Sequence, residues 1–435
     1  MEEKEQAKTT AEKGTESARK IRAMVKNIYR GANEAKAQGR KVAYFMVVSQ
    51  YDEILRAMDV VPIPTENYAG LCAAKRDMDR FLLKAEADGY SQVLCSYTRI
   101  GLGFDSLRKD LGGIPENAPD GGMPMPDMML GSSSVCDPRF KWYQAAGRYL
   151  NVPTFGIDVV IPPVFSDLNE VRDHYIRYQS EQLRGLVEFL EEQTGKKMDK
   201  ERLWETIRLG DEAWRLWYEI DRMRVALPSP MPTQDHFNVM VPAYYYCGTQ
   251  EAVNFFKDLY AEVKYKVENK MGVIPDEKHR ILYGGGLPPW HTLWIFNYFE
   301  SFGAVFVIEN VYRGYDPVEV PARVKDPVEY LAWRAFLRFT QRHEKAKAHS
   351  GNPVVERLLE MIDKYKIDGV VFHACRSCRA TTVGQVHIKN QLSQYTDIPM
   401  MQLVSDMVDL RDYSEAQWKV QISAFIEALQ ARSVN

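Results

Sequence analysis

Cys72, Cys95, Cys136, Cys247, Cys375 and Cys378 are the residues of this 435-residue chain with the widest chemical reach. The N-terminus is rich in Lys, Glu and Thr and has no apolar signal region. The thiols are therefore expected to be reduced, and to be buried, catalytic or metal-bound. Cys72 and Cys247 lack any turn or helix-start context and read as small buried hydrophobes. Cys136 stands just before Asp137-Pro138, an N-cap residue with proline at the first helical position. A sulfur immediately outside a helix N-terminus has a lowered pKa and suits a metal-ligating thiolate. Cys375 and Cys378 lie in the stretch Asp368 to Thr382, where an apolar run ends in Cys-Arg-Ser-Cys-Arg. Cys95 follows the short apolar segment Ser91–Leu94.

Three chemistries compete for these thiols. Zinc usually takes paired knuckles with four ligands, and here there is one C-x-x-C and no second knuckle. A redox dithiol at Cys375 and Cys378 leaves Cys95 and Cys136 unexplained. An iron–sulfur cluster asks only that thiolates converge in space, and it tolerates an incomplete protein ligand set. His373 is the titratable group nearest the cysteine turn, a candidate proton donor or a structural hydrogen-bonder. Gly284-Gly285-Gly286 reads as a tight turn, because no dinucleotide or P-loop pattern occurs anywhere in the chain. The chain is accordingly not expected to hydrolyse ATP.

The elements that must position these residues alternate. Apolar runs at Lys41–Ser49, Val60–Pro64, Ser91–Leu94, Asp127–Leu130 and Asn151–Asp158 read as strands between helical patterns at Tyr51–Met58 and Arg139–Tyr149. Residues 167–226 carry helical spacing with tryptophans that suit core packing. A second alternation follows, with strands at His279–Tyr283, Gly303–Ile308, Gly369–Phe372 and Asp397–Val404. Helical patterns lie at Thr292–Phe302, Pro327–Ala346 and Pro353–Tyr365, and again after the last cysteine turn, beginning near Thr382 and running through Val383, Val386, Ile388 and Leu392. Twice the order strand, cysteine turn, helix, Pro-led strand and acidic residue appears, at Cys136 to Asp158 and at Cys378 to Asp406. The expectation is an α/β protein of two Rossmann-like domains with parallel sheets, joined by a helical segment, with the cysteine turns at the cleft between them. The expected division is 1–38 as a charged helical leader, 39–165 and 231–435 as the α/β domains, and 166–230 as the helical bridge.

Composition narrows the partners. Lys and Arg number 56 against 59 Asp and Glu, with no long basic block, which sets nucleic acid aside. No uncharged run reaches a membrane span, and a cytoplasmic protein is expected.

Three ordered motifs carry a resemblance: Cys95-Ser-Tyr-Thr-Arg99; Ser134-Val-Cys-Asp137 with Lys141-Trp142; and Phe372-His-Ala-Cys-Arg-Ser-Cys-Arg379. Together they resemble the 2-hydroxyacyl-CoA dehydratase and benzoyl-CoA reductase superfamily, and look most like the B subunit of its class I, ATP-dependent reductases. The resemblance spans nearly the whole chain from about Arg40. It implies a catalytic subunit that holds a 4Fe-4S cluster through Cys95, Cys136 and Cys378, with Cys375 as alternate for the third. It further implies a related cluster-bearing partner subunit, ATP-hydrolysing activator subunits, ferredoxin as external electron donor and an aromatic acyl-CoA as substrate. Arg99, Arg376 and Arg379 would then tune charge or bind CoA phosphates, or make surface ion pairs. Dehydration of a 2-hydroxyacyl-CoA through a ketyl radical, or electron transfer without a substrate pocket, are the other activities the same motifs imply.

Overall fold

The computed structural model describes residues 11–46 and 51–433. The expected first strand therefore runs partly outside the described residues, at positions 47–49. Helix α1 (Glu16–Ala37) leads into β1 (Val42–Phe45), α2 (Asp52–Ala57), β2 (Val61–Pro64), α3 (Thr65–Ala74), α4 (Asp79–Ala87) and α5 (Ser96–Leu111). Next come β3 (Met128–Ser132), α6 (Asp137–Leu150) and β4 (Thr154–Ile157). Four helices follow: α7 (Leu168–Thr194), α8 (Lys200–Met223), α9 (Thr233–Tyr245) and α10 (Gln250–Glu268). The second half consists of β5 (His279–Gly285), α11 (Ile295–Glu300), β6 (Ala304–Glu309), α12 (Pro327–Thr340), α13 (His343–Ala348) and α14 (Pro353–Lys364). It closes with β7 (Gly369–Cys375), α15 (Arg379–Thr382), α16 (Gln385–Leu392), β8 (Met400–Ser405) and α17 (Glu415–Ser433).

Two four-stranded sheets result, with strand orders β2-β1-β3-β4 and β6-β5-β7-β8. Every pairing is parallel. Both sheets thus have the same winding, in which the order reverses between the first and third strands. That reversal opens a crevice at the carboxyl ends where ligands bind in doubly wound folds. Both halves are Rossmann-like, as the repeated order of motifs implies. Cys136 follows the third strand of one sheet, and Cys378 the third strand of the other.

Alternation along β1 explains how the first sheet is covered. Ala43 and Phe45 face a core built with Leu183, Leu186 and Leu190 of α7 and Leu331 and Trp333 of α12. Val42 and Tyr44 face the opposite core, made by α1, α3, α5, α9 and α10, which also contains Cys375 and Cys378. The tryptophans of α8 are core, as their spacing predicts. Trp217 is fully buried and stacks on Trp214 at 5.2 Å and on Phe256 at 5.7 Å. A buried ion network ties α8 to β6, with both Arg224 amino nitrogens 2.8 Å from the Glu309 carboxylate and His236 and Asp221 beside them.

Helix α5 is held unusually close to its neighbours. A Cβ added at Gly103 would lie 1.9 Å from the carbonyl oxygen of Phe81 in α4, and one at Gly101 would lie 1.9 Å from a ring carbon of Trp142. Backbone cannot yield as a side chain can. Gly103→Ala is therefore expected to destabilise the protein by about 1–3 kcal/mol through overpacking, read as a lower urea midpoint with an unchanged slope. An unshifted midpoint would mean that α4 and α5 slide apart without cost.

Candidate metal centre

Three cysteines occupy the same local position. Cys95 is the N-cap residue of α5, Cys136 of α6 and Cys378 of α15. Cys136 is itself the cap, one residue earlier than the Asp137 cap expected from Asp-Pro. None of the sulfurs closes a cap hydrogen bond of ordinary length. In each case, however, the backbone N–H three residues on, of Thr98, Arg139 or Thr381, faces the sulfur and favours its thiolate form. The Thr381 hydroxyl also donates to Cys378 Sγ at 3.2 Å.

Expectations about their setting need correction. Ser91–Leu94 is a turn between α4 and α5, with Val93 81% exposed, so Cys95 is reached from a helix end and not from a strand. Residues 91–94 pair with no strand of the sheet, whose order is β2-β1-β3-β4. Cys375 is the last residue of β7 and pairs with Ser405 of β8, so of the two cysteines only Cys378 lies in the turn. Ladder pairing with β8 from Val370 onward extends the strand past Phe372, where the apolar run alone would end it. The helix after the turn starts at Arg379, not near Thr382, and breaks before α16. Val383 and Val386, two of the apolar residues that carry the expected helical pattern, are 78% and 59% exposed.

Contacts between flanking residues bring the three caps together. The Ser96 N–H donates to Ser377 Oγ at 3.1 Å, across 281 residues of chain. Arg379 pairs with Asp137 at 2.7 Å. Electrostatically, Cys95 feels both Cys378 and Cys136, and Cys136 feels Cys378. Burial pushes all three thiols up, Cys136 to about 11. Thiolates here need a positive charge beside them, which bound metal provides.

The donor set fits a cluster better than a single ion. Among the described residues, the one trio of possible ligands with all donor atoms within 4.8 Å of one another is Asp221, His236 and Glu309. There the Arg224 guanidinium already occupies both Glu309 oxygens. The sulfurs of Cys95, Cys136 and Cys378 do not all lie within 4.8 Å of one another, whereas a tetrahedral Zn–S bond of about 2.3 Å implies a sulfur spacing of roughly 3.8 Å. Cys378 and Cys375 belong to an apolar core, and Cys95, Leu287, Trp290 and Tyr312 pack against it. Cys375 differs in kind. Its thiol donates to Asp406 Oδ2 at 3.9 Å, and burial together with that carboxylate raises it well above the ordinary thiol range.

Around the caps lie groups that sequence reasoning does not single out. Glu66, in the first turn of α3 at the carboxyl end of β2, accepts from Arg139 Nη2 at 3.1 Å, and both are buried. The Glu66 charge acts on Cys136, Cys378, Tyr97 and Tyr312, so the carboxylate borders the thiols. Trp290 donates to the Tyr97 hydroxyl, and Tyr312 bonds to Tyr97 in turn. Tyr312 holds a left-handed φ of 51°, which is uncommon and strained for a bulky residue.

The remaining candidates are structural in their contacts. His373 is buried, with Nδ1 donating to the Leu287 carbonyl at 2.5 Å and Nε2 accepting from Ser405 Oγ at 2.9 Å. Burial lowers it to about 4, so it is neutral and fully engaged at pH 7. Arg99 is buried between Glu86 and Asp409, at 2.9 and 3.0 Å. Arg376 and Arg379 form surface pairs. Gly286 has φ 97° and lies against β7, where a Cβ would meet the His373 carbonyl at 1.9 Å. This close approach requires glycine and accounts for the triple-glycine turn.

One family model spans the cysteine turns and all strands but β1. Residues 49–429 match the 2-hydroxyglutaryl-CoA dehydratase D-component family, and the chain belongs to it. It is 28% identical over 417 residues to the (R)-phenyllactyl-CoA dehydratase alpha subunit of Clostridium sporogenes, covering 92% of each chain. It is 27% identical over 414 residues to the (R)-2-hydroxyisocaproyl-CoA dehydratase alpha subunit of Clostridioides difficile, covering 93% of this chain and 94% of that one. To the B subunit of the Thauera aromatica benzoyl-CoA reductase it is 24% identical over 453 residues, covering 98% of each chain. The superfamily implied by the motifs is confirmed. No helix among the described residues is long and apolar enough to cross a membrane.

Proposed function

We propose that this chain is the alpha-type subunit of a 2-hydroxyacyl-CoA dehydratase, carrying a 4Fe-4S cluster on Cys95, Cys136 and Cys378. The motifs taken alone favour ring reduction of an aromatic acyl-CoA. The dehydratase reading is better supported, because the family model and the relatives at 27–28% identity are dehydratases while the reductase relative stands at 24%. The observation that carries the site is the shared N-cap position of three cysteines converging from both halves. When bound, the cluster would supply single electrons at low potential.

The chain's own residues account for the proton and the binding. Removing water from a 2-hydroxyacyl thioester takes the hydroxyl from C2 and a proton from C3, with no net oxidation. Glu66 is the carboxylate beside the thiols that can take that proton and return it to the departing hydroxyl, and its ion pair with Arg139 holds it in place. Tyr97 and Tyr312 offer hydroxyls at the same place, and Trp290 fixes the first of them. Neutral His373 secures the Leu287 segment to β7 and β8 and takes no part in proton transfer. As the relatives are alpha and B subunits, a second cluster-bearing subunit and an ATP-hydrolysing activator supplied by ferredoxin complete the working enzyme in this proposal.

Two measurements test it. Anaerobically purified protein is expected to contain about four iron and four sulfide per chain and no stoichiometric zinc. Zinc without sulfide would sink the cluster assignment. The complex with its partner and activator is expected to dehydrate an (R)-2-hydroxyacyl-CoA and to leave benzoyl-CoA unreduced. The opposite result would restore the reductase reading.

A further inference from the structure

The segment after β6 faces two ways. Tyr312 turns toward the thiols, with its ring 6.1 Å from Trp290 and 6.5 Å from Tyr244. The next residue, Arg313, lines a separate cavity of about 60 Å³ between the end of α8, the α12–α13 junction and α14. Since one water needs roughly 10–15 Å³ measured this way, the cavity has room for about four water positions, or one tetrahedral oxyanion.

Its walls carry unspent positive charge. Arg313, Arg342 and Arg357 line it, with Arg222 and Lys364 also contributing. Opposing them are Asp316, Glu360 and Asp221, and these are largely committed. Arg342 takes both Asp316 at 2.6 Å and Glu360 at 2.9 Å, while Asp221 serves Arg224 at 3.2 Å and His236 at 3.4 Å through Oδ1 and leaves Oδ2 buried without a partner. Arg313 is left with Asp316 at 3.5 Å. Arg357 makes no ion pair or hydrogen bond among the described residues, and the Nε atoms of both Arg313 and Arg357 are buried without a partner. Buried donors of this kind are costly unless something accepts from them. Burial and the adjacent Arg313 and Arg342 charges bring the Arg357 guanidinium down to about 10, which marks a cation lacking its counter-charge.

We propose that this cavity is a phosphate-binding site, in which Arg313, Arg342 and Arg357 hold one tetrahedral phosphate group and Arg222 and Lys364 add positive field. Planar guanidinium forks match phosphate oxygens two at a time, and three of them around one pocket select a dianion over chloride. The phosphate can come from the CoA portion of a thioester, an assignment that rests on the proposed function, or from free inorganic phosphate. The second source requires nothing of that reading.

Thermal unfolding and calorimetry of the anaerobic full-length chain decide it, using sodium phosphate, CoA and 3′-dephospho-CoA against sodium chloride at matched ionic strength. Phosphate is expected to raise the melting temperature of the wild type. Arg357→Met is expected to fold, because it removes a partnerless cation, and to weaken phosphate binding at least tenfold. Arg313→Met serves as an independent second variant. If CoA displaces phosphate and 3′-dephospho-CoA does so more weakly, the site holds the CoA phosphate. If phosphate binds and CoA leaves it in place, the ligand is free phosphate, whatever the chain's activity proves to be. Absence of a phosphate-specific shift in the wild type, or an equal shift in both variants, overturns the proposal.

Discussion

In Cys378→Ser protein, iron and sulfide are expected to fall to a small fraction of the wild-type content and turnover to vanish with them, whereas Cys375→Ser is expected to keep most of its iron. The two cysteines are three residues apart in one motif, yet their surroundings differ. Cys378 caps α15, faces the Thr381 N–H and accepts from the Thr381 hydroxyl, an environment built to receive donors at a thiolate. Cys375 ends β7 with its thiol turned to the Asp406 carboxylate, which disfavours a second negative charge and keeps the proton on sulfur. A serine hydroxyl at position 375 can donate to the same carboxylate, so that substitution should preserve the strand end. Because α15 is a single turn of four residues, its dipole contributes little. The distinction rests on which direct donors reach each sulfur. Paired anaerobic iron analyses of the two variants check it, and a cluster-less Cys375→Ser would mean that the third ligand is assigned three residues too late.

How much of the fold is legible in the sequence depends on whether an element announces itself locally. The parallel strands show as short apolar runs between helical patterns, and the repeated order of strand, cysteine turn and helix anticipates two sheets of identical winding. Ser91–Leu94 misleads because a four-residue segment with two apolar residues does not reveal whether a neighbouring strand exists to accept it. Phe372 looks like the end of its strand for the converse reason: pairing with β8 carries β7 on to Cys375. At the site, the cysteines are visible through the Pro and turn residues beside them. Glu66 is not, since an isolated glutamate 29 residues before Cys95 carries no local pattern. Its one signal is its place just after Pro64, at the carboxyl end of a strand, where doubly wound folds gather functional groups. Tyr312 likewise reaches the thiols only because the segment after β6 turns back across the sheet end.

Glu66→Gln is expected to lower kcat by about 10²–10⁴-fold, the range a positioned general acid–base supplies, while iron and sulfide stay at wild-type levels. The amide is nearly the same size as the carboxylate and can still accept from Arg139, so α3 and the first turn of α6 should hold their places. What it loses is the ability to take a proton. Glutamine also removes the negative charge that acts on Cys136 and Cys378, which should ease the formation of thiolates and leave cluster retention undiminished. Glu66→Asp provides the complementary reading, because it keeps the charge but shortens the reach by one methylene, and partial recovery of kcat is expected from it. A KM that rises while kcat is unchanged would assign Glu66 to substrate binding alone. Loss of iron in Glu66→Gln would make the residue a support of the metal centre, and the proton would then have to leave through another group, of which Tyr97 and Tyr312 are the nearest hydroxyls.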